Sequence, residues 1–289
     1  MKLIQCQYTY LQVWFYQIYF LAVLLLILTG NRAVSQTYEE WITRSFDYMD
    51  ADSLAEAENC LKEAMRLEPA NPRNGLLFQN LGTIQRRQGK LQEAETSYSC
   101  AIALLTDMPS IRVNRAQLYA EMERYDDAIE DYSILLEQEP QNETWLYERA
   151  LCRLMNQDTV GARLDLEFID SFNPHSAKSR IGMAIVYKAQ GEYAMAADLY
   201  DALIKANPQS WSLLRDRAEV YYLSNRMGAA LEDINESIKR NPQDPMSYVL
   251  RAQIRYAKGD KEYARRDLNT AIEKGLPQQI ARQMVEKIK

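Results

Sequence analysis

Histidine and cysteine are the residues with which this sequence could carry out metal or nucleophilic chemistry, and both are scarce. His175 is the only histidine among 289 residues, and Cys6, Cys60, Cys100 and Cys152 lie far apart without a paired spacing. Zinc sites and most acid–base catalysis need several such residues at short spacings. The sequence also has no phosphate loop, glycine-rich dinucleotide turn or nucleophile elbow. We therefore expect no catalytic residue, metal or cofactor, and interpret Cys60, Cys100 and Cys152 as buried small apolar residues.

Arginines that precede an alanine form a second set of residues with possible chemistry. They are Arg115, Arg149, Arg217 and Arg251. A ladder of guanidinium groups could bind phosphates. The alternative, which we favour, is structural: each stem lies along a helix pair while its head meets an acidic residue of the adjacent helix. The candidate partners are Asp131, Asp165, Asp233 and Asp267.

Charge and composition exclude one class of partner and favour one class of fold. The chain has 34 Lys and Arg against 40 Asp and Glu, a net charge of −6. Nucleic-acid-binding domains carry a basic surface, so we expect no nucleic acid as a partner. Only 10 glycines and 9 prolines occur, too few for a β-sandwich with frequent tight turns. A helical protein is the better expectation.

The first 35 residues differ in composition from the rest. Residues 1–35 contain no acidic residue, and residues 18–28 form an unbroken apolar run. A short cationic start, an apolar block and small residues are typical of a secretory signal peptide, here cleaved after Ser35. The alternative is an uncleaved membrane anchor at residues 11–28, and only this segment would then contact a membrane. In both cases we expect the body outside the cytoplasm, in a periplasm or cell envelope.

A step of 34 residues runs through the body of the chain. Alanine recurs at this step at Ala94, Ala128, Ala162, Ala196, Ala230 and Ala264, with Ala57 37 residues before the first. Small residues keep the same step at Gly82, Ala116, Ala150, Ala184, Ala218 and Ala252. A fixed period of this length indicates a repeat protein in which each unit is one supersecondary element.

The units resemble the tetratricopeptide repeat, whose pattern combines an aromatic residue, Leu-Gly, Tyr, Ala, a later aromatic residue and a closing proline. The second unit has Phe78, Leu81, Gly82, Ala94 and Tyr98 at these places. Glycines between paired helices, where a left-handed residue ends the first helix, are Gly89, Gly191 and Gly259. Prolines that end second helices are Pro69, Pro140, Pro174, Pro208 and Pro242. The resemblance implies an all-α, right-handed α-solenoid of helix-turn-helix repeats.

Seven repeats and two flanking segments account for the whole chain. The repeats are 38–71, 75–108, 109–142, 143–176, 177–210, 211–244 and 245–278. Departures from the closing-proline position predict irregular junctions at 106–109 and 275–278. Residues 279–289 are predicted to form a C-terminal capping helix with one apolar stripe.

The family resemblance also implies where a partner binds. First helices of such repeats line a concave groove, in which a peptide or a partner helix docks. Candidate groove residues at the corresponding positions are Asn80, Val113, Asn114, Gln117, Tyr147, Leu151, Met155, Ile181, Ile185, Lys188, Arg215, Glu219, Tyr222, Val249, Gln253 and Tyr256. Apolar and polar residues alternate in this set, which suits a segment held by side-chain pockets.

Some members of the family bind the C-terminal carboxylate of chaperones with a clamp of two Lys, two Asn and an Arg. Asn80 and Asn114 fit the two asparagine positions. The remaining positions hold Leu76, Thr144 and Glu148, none of which is cationic, and Glu148 would repel a carboxylate. The clamp is therefore incomplete.

The sequence thus predicts a non-catalytic, extracytoplasmic scaffold or adaptor that binds a protein partner, as a peptide or helix, in its concave groove. The alternative is a membrane-tethered assembly factor for an envelope complex. A chaperone-tail adaptor and an enzyme or ligand carrier fit the sequence less well.

Overall fold

The computed structural model of the protein describes residues 36–278 and residue 280. Within residues 36–278 it contains fourteen α-helices and no strand, as the predicted all-α fold class requires. The leader predicted at 1–35 lies outside the described residues, and so does the capping helix predicted at 279–289 except for Ile280.

The helices group into two compact units that divide between Thr106 and Asp107. The first unit contains α1 (Tyr38–Asp50), α2 (Leu54–Leu67), α3 (Asn74–Arg87) and α4 (Leu91–Leu104). The helices of the second unit are α5 (Pro109–Glu121), α6 (Tyr125–Gln138), α7 (Glu143–Met155), α8 (Thr159–Phe172), α9 (Ala177–Ala189), α10 (Tyr193–Ala206), α11 (Trp211–Leu223), α12 (Met227–Arg240), α13 (Pro245–Ala257) and α14 (Lys261–Glu273). The division falls in the junction whose irregularity the missing proline predicts.

Helices in each unit pack as antiparallel pairs held close by small residues. In the first unit, a Cβ atom added to Gly82 would lie 2.8 Å from the ring of Tyr98, so only glycine fits between α3 and α4. The equivalent alanines of the second unit, Ala116, Ala150, Ala184, Ala218 and Ala252, are completely buried. A larger side chain there would push the paired helices apart.

A buried carboxylate joins the two repeats of the first unit. Glu58 of α2 accepts hydrogen bonds from Lys62 at 2.6 Å and Lys90 at 2.7 Å, and from Gln85 of α3 at 3.3 Å. Burial alone would raise the pKa of Glu58, but these donors outweigh it and lower the pKa to about 2. The ionised side chain therefore stabilises this unit.

Each turn between a first and a second helix within residues 36–278 contains one residue in the left-handed conformation. These residues are Asp52, Gly89, Glu123, Gln157, Gly191, Asn225 and Gly259, with φ between 56° and 88°. The next amide donates to a carbonyl five residues back, as Lys90 does to Gln85 at 2.9 Å. The predicted role of the three glycines is confirmed, and four other residue types adopt the same strained conformation.

The first six second helices end at residues with extended backbone, and five of these residues precede the predicted prolines, whereas α14 ends at Lys274 with φ −89° and ψ 6°. Glu68, for example, has φ −129° and ψ 73° before Pro69. Leu105 adopts nearly the same angles although Thr106 follows it, so the helix pair can close without proline.

Of the three cysteines described, all of which are free thiols, Cys60 and Cys152 are buried as predicted. Cys100 is only half-buried, which corrects the prediction for that residue.

Candidate binding face of the first helices

First helices of consecutive repeats contact one another in the second unit. α7 packs on α9, and α11 packs on α13, while each also packs on its own second helix. The four helices therefore present residues of several repeats on adjoining surfaces, which we call the first-helix face. A ligand lying across it would touch more than one repeat.

Arginine–aspartate pairs attach four first helices of the second unit, α5, α7, α11 and α13, to their second helices. In α11, Nε of Arg217 donates to one carboxylate oxygen of Asp233 in α12 and Nη2 donates to the other, both at 2.7 Å. Arg149 holds Asp165 in the same bidentate way, at 3.0 and 2.6 Å. Arg115 with Asp131 and Arg251 with Asp267 complete the set. All four guanidinium heads are occupied by aspartate, which confirms the structural interpretation and argues against a phosphate ladder.

Three of these arginines, Arg149, Arg217 and Arg251, also contact the preceding repeat through the remaining nitrogen. Nη1 of Arg149 donates to Ser133 at 3.0 Å, that of Arg217 to Asp201 at 2.6 Å, and that of Arg251 to Asn235 at 2.9 Å. Each acceptor is 16 residues before its arginine, just as each aspartate is 16 residues after it. One side chain therefore links two successive second helices to a first helix.

The fifth repeat lacks this arrangement. Met183 and Leu199 occupy the places of the arginine and the aspartate. At the same junction Gly182 of α9 lies against Leu166 of α8, and a Cβ atom added to this glycine would overlap the leucine side chain. Between the fourth and fifth repeats, close apolar contact across a glycine thus takes the place of the arginine–aspartate arrangement, while Ser179 still donates to the Leu166 carbonyl at 3.1 Å.

The predicted groove residues all lie on first helices, but they differ in exposure. Met155 and Tyr256 are exposed and Val249 is buried. The rest are half-buried: Asn80, Val113, Asn114, Gln117, Tyr147, Leu151, Ile181, Ile185, Lys188, Arg215, Glu219, Tyr222 and Gln253. Asn80 belongs to the first unit, and the others belong to the second.

A cleft between α11 and α13 brings four of the predicted residues together. Its volume is about 340 Å³, and Arg215, Glu219, Val249 and Gln253 line it. Three further lining residues were not singled out from the sequence, namely Asp216, Met246 and Leu250. Asp216 and Leu250 directly follow predicted residues, so a wider window around each predicted position would have found them.

Ion pairs inside this cleft hold its side chains in place. Arg215 reaches Asp216 at 3.1 Å and Asp244 at 3.3 Å, and its guanidinium lies 5.4 Å from the centre of the Trp211 ring. Lys188 of α9 donates to Glu219 of α11 at 2.8 Å. The cleft therefore combines apolar walls with oriented charges.

Burial raises the pKa of two carboxyl groups on the first-helix face. For Asp216, burial outweighs the opposing effects of Arg215 and Lys188. For Glu148 in α7, burial outweighs the effect of Lys178, whose Nζ donates to Thr144 at 2.7 Å. Both carboxylates are thus less well stabilised than in water, and a cation supplied by a ligand would stabilise them further. Glu148 also places an acid where a carboxylate clamp needs a cation.

Two other kinds of site are not found among the described residues. Within residues 36–278, no group of three or more His, Cys, Asp or Glu residues is arranged to hold a metal ion. None of the fourteen described helices combines the length and the apolar character needed to cross a bilayer.

Comparison with known proteins agrees with this geometry. Tetratricopeptide repeat models match residues 113–171 and 183–255. A crystal structure of a tetratricopeptide repeat protein from Parabacteroides merdae is 38% identical and superposes with a TM-score of 0.80, over 88% of this chain and 99% of that one. The chain therefore belongs to the tetratricopeptide repeat family, and its fold is an α-solenoid of such repeats.

More distant relatives share parts of this architecture. Mouse tetratricopeptide repeat protein 16 is 29% identical over 159 residues, which are 53% of this chain and 16% of the mouse protein. The chain thus spans about a sixth of that relative's length. A thermophilic repeat protein from Thermus thermophilus is 16% identical with a TM-score of 0.58, over 63% of this chain and 98% of that one, and this likeness concerns the fold alone.

Proposed function

We propose that this protein is a non-catalytic scaffold whose first-helix face binds a segment of another protein. The family supports an interaction role, and the cleft between α11 and α13 is the observation that carries the choice of surface. It combines the apolar Val249, Leu250 and Met246 with oriented polar groups from two repeats. Such a lining suits a peptide or a helix whose side chains enter pockets while polar contacts fix its register.

The electrostatics of the same face indicate the composition of the bound segment. Burial raises the pKa values of Asp216 and Glu148 although Arg215 pairs with Asp216, and Arg215 and Lys178 are shared with Asp244 and Thr144. A lysine or arginine from the partner would stabilise both carboxylates. We therefore infer a segment that alternates apolar with basic side chains.

We further propose that the scaffold works outside the cytoplasm, in a periplasm or cell envelope. The support is the composition of residues 1–35, which combine an apolar run with a lack of acidic residues. Mass spectrometry of the N-terminus of the protein from its native source tests this proposal. A mature chain that begins after Ser35 is expected, and an intact Met1 in a cytosolic fraction would contradict it.

A membrane-tethered assembly factor is the second candidate, favoured by the length of apolar sequence at residues 11–28. It predicts recovery of the protein with membranes and an intact Met1. Both candidates use the first-helix face in the same way, so the test of that face is common to them.

That test is crosslinking with the full-length protein in its native envelope. The groove variant carries Tyr147→Asp and Ile185→Asp, and a matched control carries Met195→Asp and Tyr263→Asp on second helices, where both side chains are exposed. We expect a partner that the wild type and the control capture and that the groove variant loses while retaining its circular dichroism. Crosslinked peptides are expected to include residues of α11 and α13. Equal capture by both variants would show that another surface binds the partner.

A further inference from the structure

The outer side of α8 carries an exposed apolar stripe that the folded repeats do not use. Val160, Leu164 and Phe168 are 69%, 60% and 41% exposed. They are spaced by four residues, so they lie along one side of the helix over about 12 Å. The opposite side, with Ala162, Leu166 and others, is buried in the core.

No other second helix of the second unit, within its described residues, has this pattern. The positions equivalent to Val160 hold Asp126, Ala194, Gly228 and Glu262. The positions equivalent to Leu164 hold Glu130, Asp198, Glu232 and Arg266. A solvated repeat surface normally has polar residues at such places, so three large apolar side chains in one repeat need a specific explanation.

A cleft of about 680 Å³ opens at the Phe168 end of the stripe. Phe168 lines it together with the turn between α6 and α7, including Glu139 and Glu143. Phe168 is positioned by an edge-to-face contact with Phe172, with ring centres 5.6 Å apart. The apolar stripe therefore continues into a recess that contains carboxylates.

Those two carboxylates are held by neutral donors. Glu139 accepts from the Asn142 amide at 2.9 Å. Glu143 accepts from Asn173 and from Ser176, both at 2.8 Å. Because neither is in an ion pair with a described residue, their negative charge remains available to a cationic ligand.

Further exposed carboxylates lie on α8 and at equivalent places in the neighbouring repeats. Glu167 and Asp170 are exposed on α8 and form no ion pair with a described residue, while Glu130 and Asp198 are exposed at the equivalent places on the flanking helices. Two cations are also nearby: Arg163 on α8, which donates to Gln190 at 2.6 Å and lies over the Tyr187 ring, and Lys178, which donates to Thr144 of the cleft at 2.7 Å. The carboxylates outnumber them. The apolar stripe is thus accompanied by four exposed carboxylates, Glu130, Glu167, Asp170 and Asp198, which we call the acidic frame.

We propose that this stripe is a docking site for an amphipathic helix of another protein, with lysine and arginine on its polar side. Its apolar side covers Val160, Leu164 and Phe168, and its cations face the acidic frame and the carboxylates of the cleft. The site lies on α8 and at the turn that leads into α7, and it does not depend on the function proposed for the first-helix face. A second copy of this chain fits less well, because two acidic frames would repel each other, and an anionic bilayer would be repelled in the same way.

Two synthetic peptides of about 18 residues test this proposal, a length that presents several turns to the stripe. Both have the same leucine stripe, and their polar faces carry lysine in one and glutamate in the other. Fluorescence anisotropy of labelled peptides measures binding to the purified protein. We expect saturable binding of the lysine peptide, weakened by salt, and much weaker binding of the glutamate peptide.

Variants distinguish binding of the lysine peptide at the stripe from general attraction between a basic peptide and an acidic protein. Leu164→Gln with Phe168→Gln keeps the net charge and is expected to weaken binding of the lysine peptide by about tenfold or more. Tyr263→Gln, at a residue of α14 that is also exposed, is the matched control and is expected to leave binding unchanged. Glu167→Lys with Asp170→Lys is expected to weaken the lysine peptide and to strengthen the glutamate peptide.

Three results would overturn the proposal. The first is equal binding of the lysine peptide by the wild type and the Leu164→Gln, Phe168→Gln variant. The second is a concentration-dependent dimer in sedimentation that this variant abolishes, which would assign the stripe to a second copy. The third is wild-type binding to phosphatidylglycerol vesicles that the variant loses, which would assign it to lipid. The groove variant Tyr147→Asp, Ile185→Asp should still bind the lysine peptide. A wrong proposal for the first-helix face can therefore be distinguished from a wrong proposal for the stripe.

Discussion

At the scale of single residues, the arginine–aspartate pairs show how a partly buried charge is tolerated in this fold. Each aspartate accepts two hydrogen bonds from one guanidinium, and each arginine stem lies beside the helix pair. Asp131, Asp165 and Asp267 each pair with a second arginine, so the loss of one partner strands a charge most directly at Arg217 and Asp233. Replacing both partners by apolar residues removes the desolvation cost as well. The fifth repeat, with Met183 and Leu199, is a natural example of the double replacement.

This comparison gives a prediction for the sixth repeat. Asp233→Leu is expected to lower the free energy of unfolding by about 2 kcal/mol, because Arg217 keeps only the exposed Asp201. Arg217→Met together with Asp233→Leu is expected to remain within about 1 kcal/mol of the wild type. Urea unfolding followed by circular dichroism measures both. If the double variant is less stable than the single one, the pair contributes more than its desolvation costs.

Glu58 gives a pH prediction for the first unit. Its pKa is lowered in the folded chain, so its stabilising contribution is complete above the ordinary value of 4.5 and is lost as the pH falls towards about 2. Glu58→Gln is expected to lower stability at neutral pH by about 2 kcal/mol and to reduce the loss of stability in that acidic window. Thermal melting of both proteins across this range checks the sign. Glu63→Gln, at a more exposed ion pair, is the control, and parallel pH curves for Glu58→Gln and the wild type would contradict the assignment.

At the scale of helices and turns, much of the architecture could be predicted because small residues recur at a fixed step. The pairing of first and second helices and the aspartate partners of the arginines both follow from this pattern. The contacts of Arg149, Arg217 and Arg251 with the preceding repeat could not be predicted, because they depend on the stacking angle between repeats. Val249 was expected to be accessible, but packing of α11 on α13 buries it. The stripe on α8 was missed although its signal, apolar residues where other repeats have charges, is present in the sequence.

The left-handed turn residues give a prediction at this scale. Gln157 has φ 63°, and Gly191 has φ 77° in the equivalent turn of the next repeat. A side chain disfavours this conformation, so Gln157→Gly is expected to stabilise the protein by about 0.5–1 kcal/mol and Gly191→Ala to destabilise it by about 1 kcal/mol. Gln157→Ala is the control and should change little. Denaturant midpoints measure all three, and a destabilising Gln157→Gly would mean that the glutamine side chain makes a stabilising contact.

At the scale of the second unit, the junction between the fourth and fifth repeats differs from its neighbours. The buried apolar residues form one cluster that includes Ala116 to Val186 and another that includes Ala184 to Leu276. Gly182 lies where α9 packs on α8, and no arginine–aspartate pair of the kind described above spans this junction. The polar link made there by an arginine is that of Arg163 with Gln190, which is exposed to solvent, so coupling between the two clusters depends mainly on the close apolar contact of Gly182 with Leu166.

Two glycine substitutions test this coupling. Gly182→Ala forces the buried Leu166 to move and is expected to destabilise the protein by about 1–3 kcal/mol. Gly228→Ala in α12 meets no atom within 4 Å and is expected to be neutral or stabilising by up to about 1 kcal/mol. Hydrogen exchange should show faster opening of α8 and α9 in the Gly182 variant only. Equal protection in both variants would indicate that the junction adapts to the extra methyl group.

The short spacing between each arginine and its aspartate bears on how whole repeats can be inserted into or deleted from such a chain. Both charges of a pair come from one repeat, 16 residues apart, as in Arg251 and Asp267. Each of these aspartates therefore takes its counter-charge from its own unit, and Asp131, Asp165 and Asp267 have a second arginine of that unit as well. Insertion or deletion of a whole unit adds or removes each aspartate together with its arginines and leaves no such aspartate unpaired in the interior. The contact with the preceding unit ends on Ser133, Asp201 or Asn235, none of which is fully buried, so water can replace the lost arginine. In this family member, duplication of one module thus keeps every such aspartate paired with an arginine at every stage.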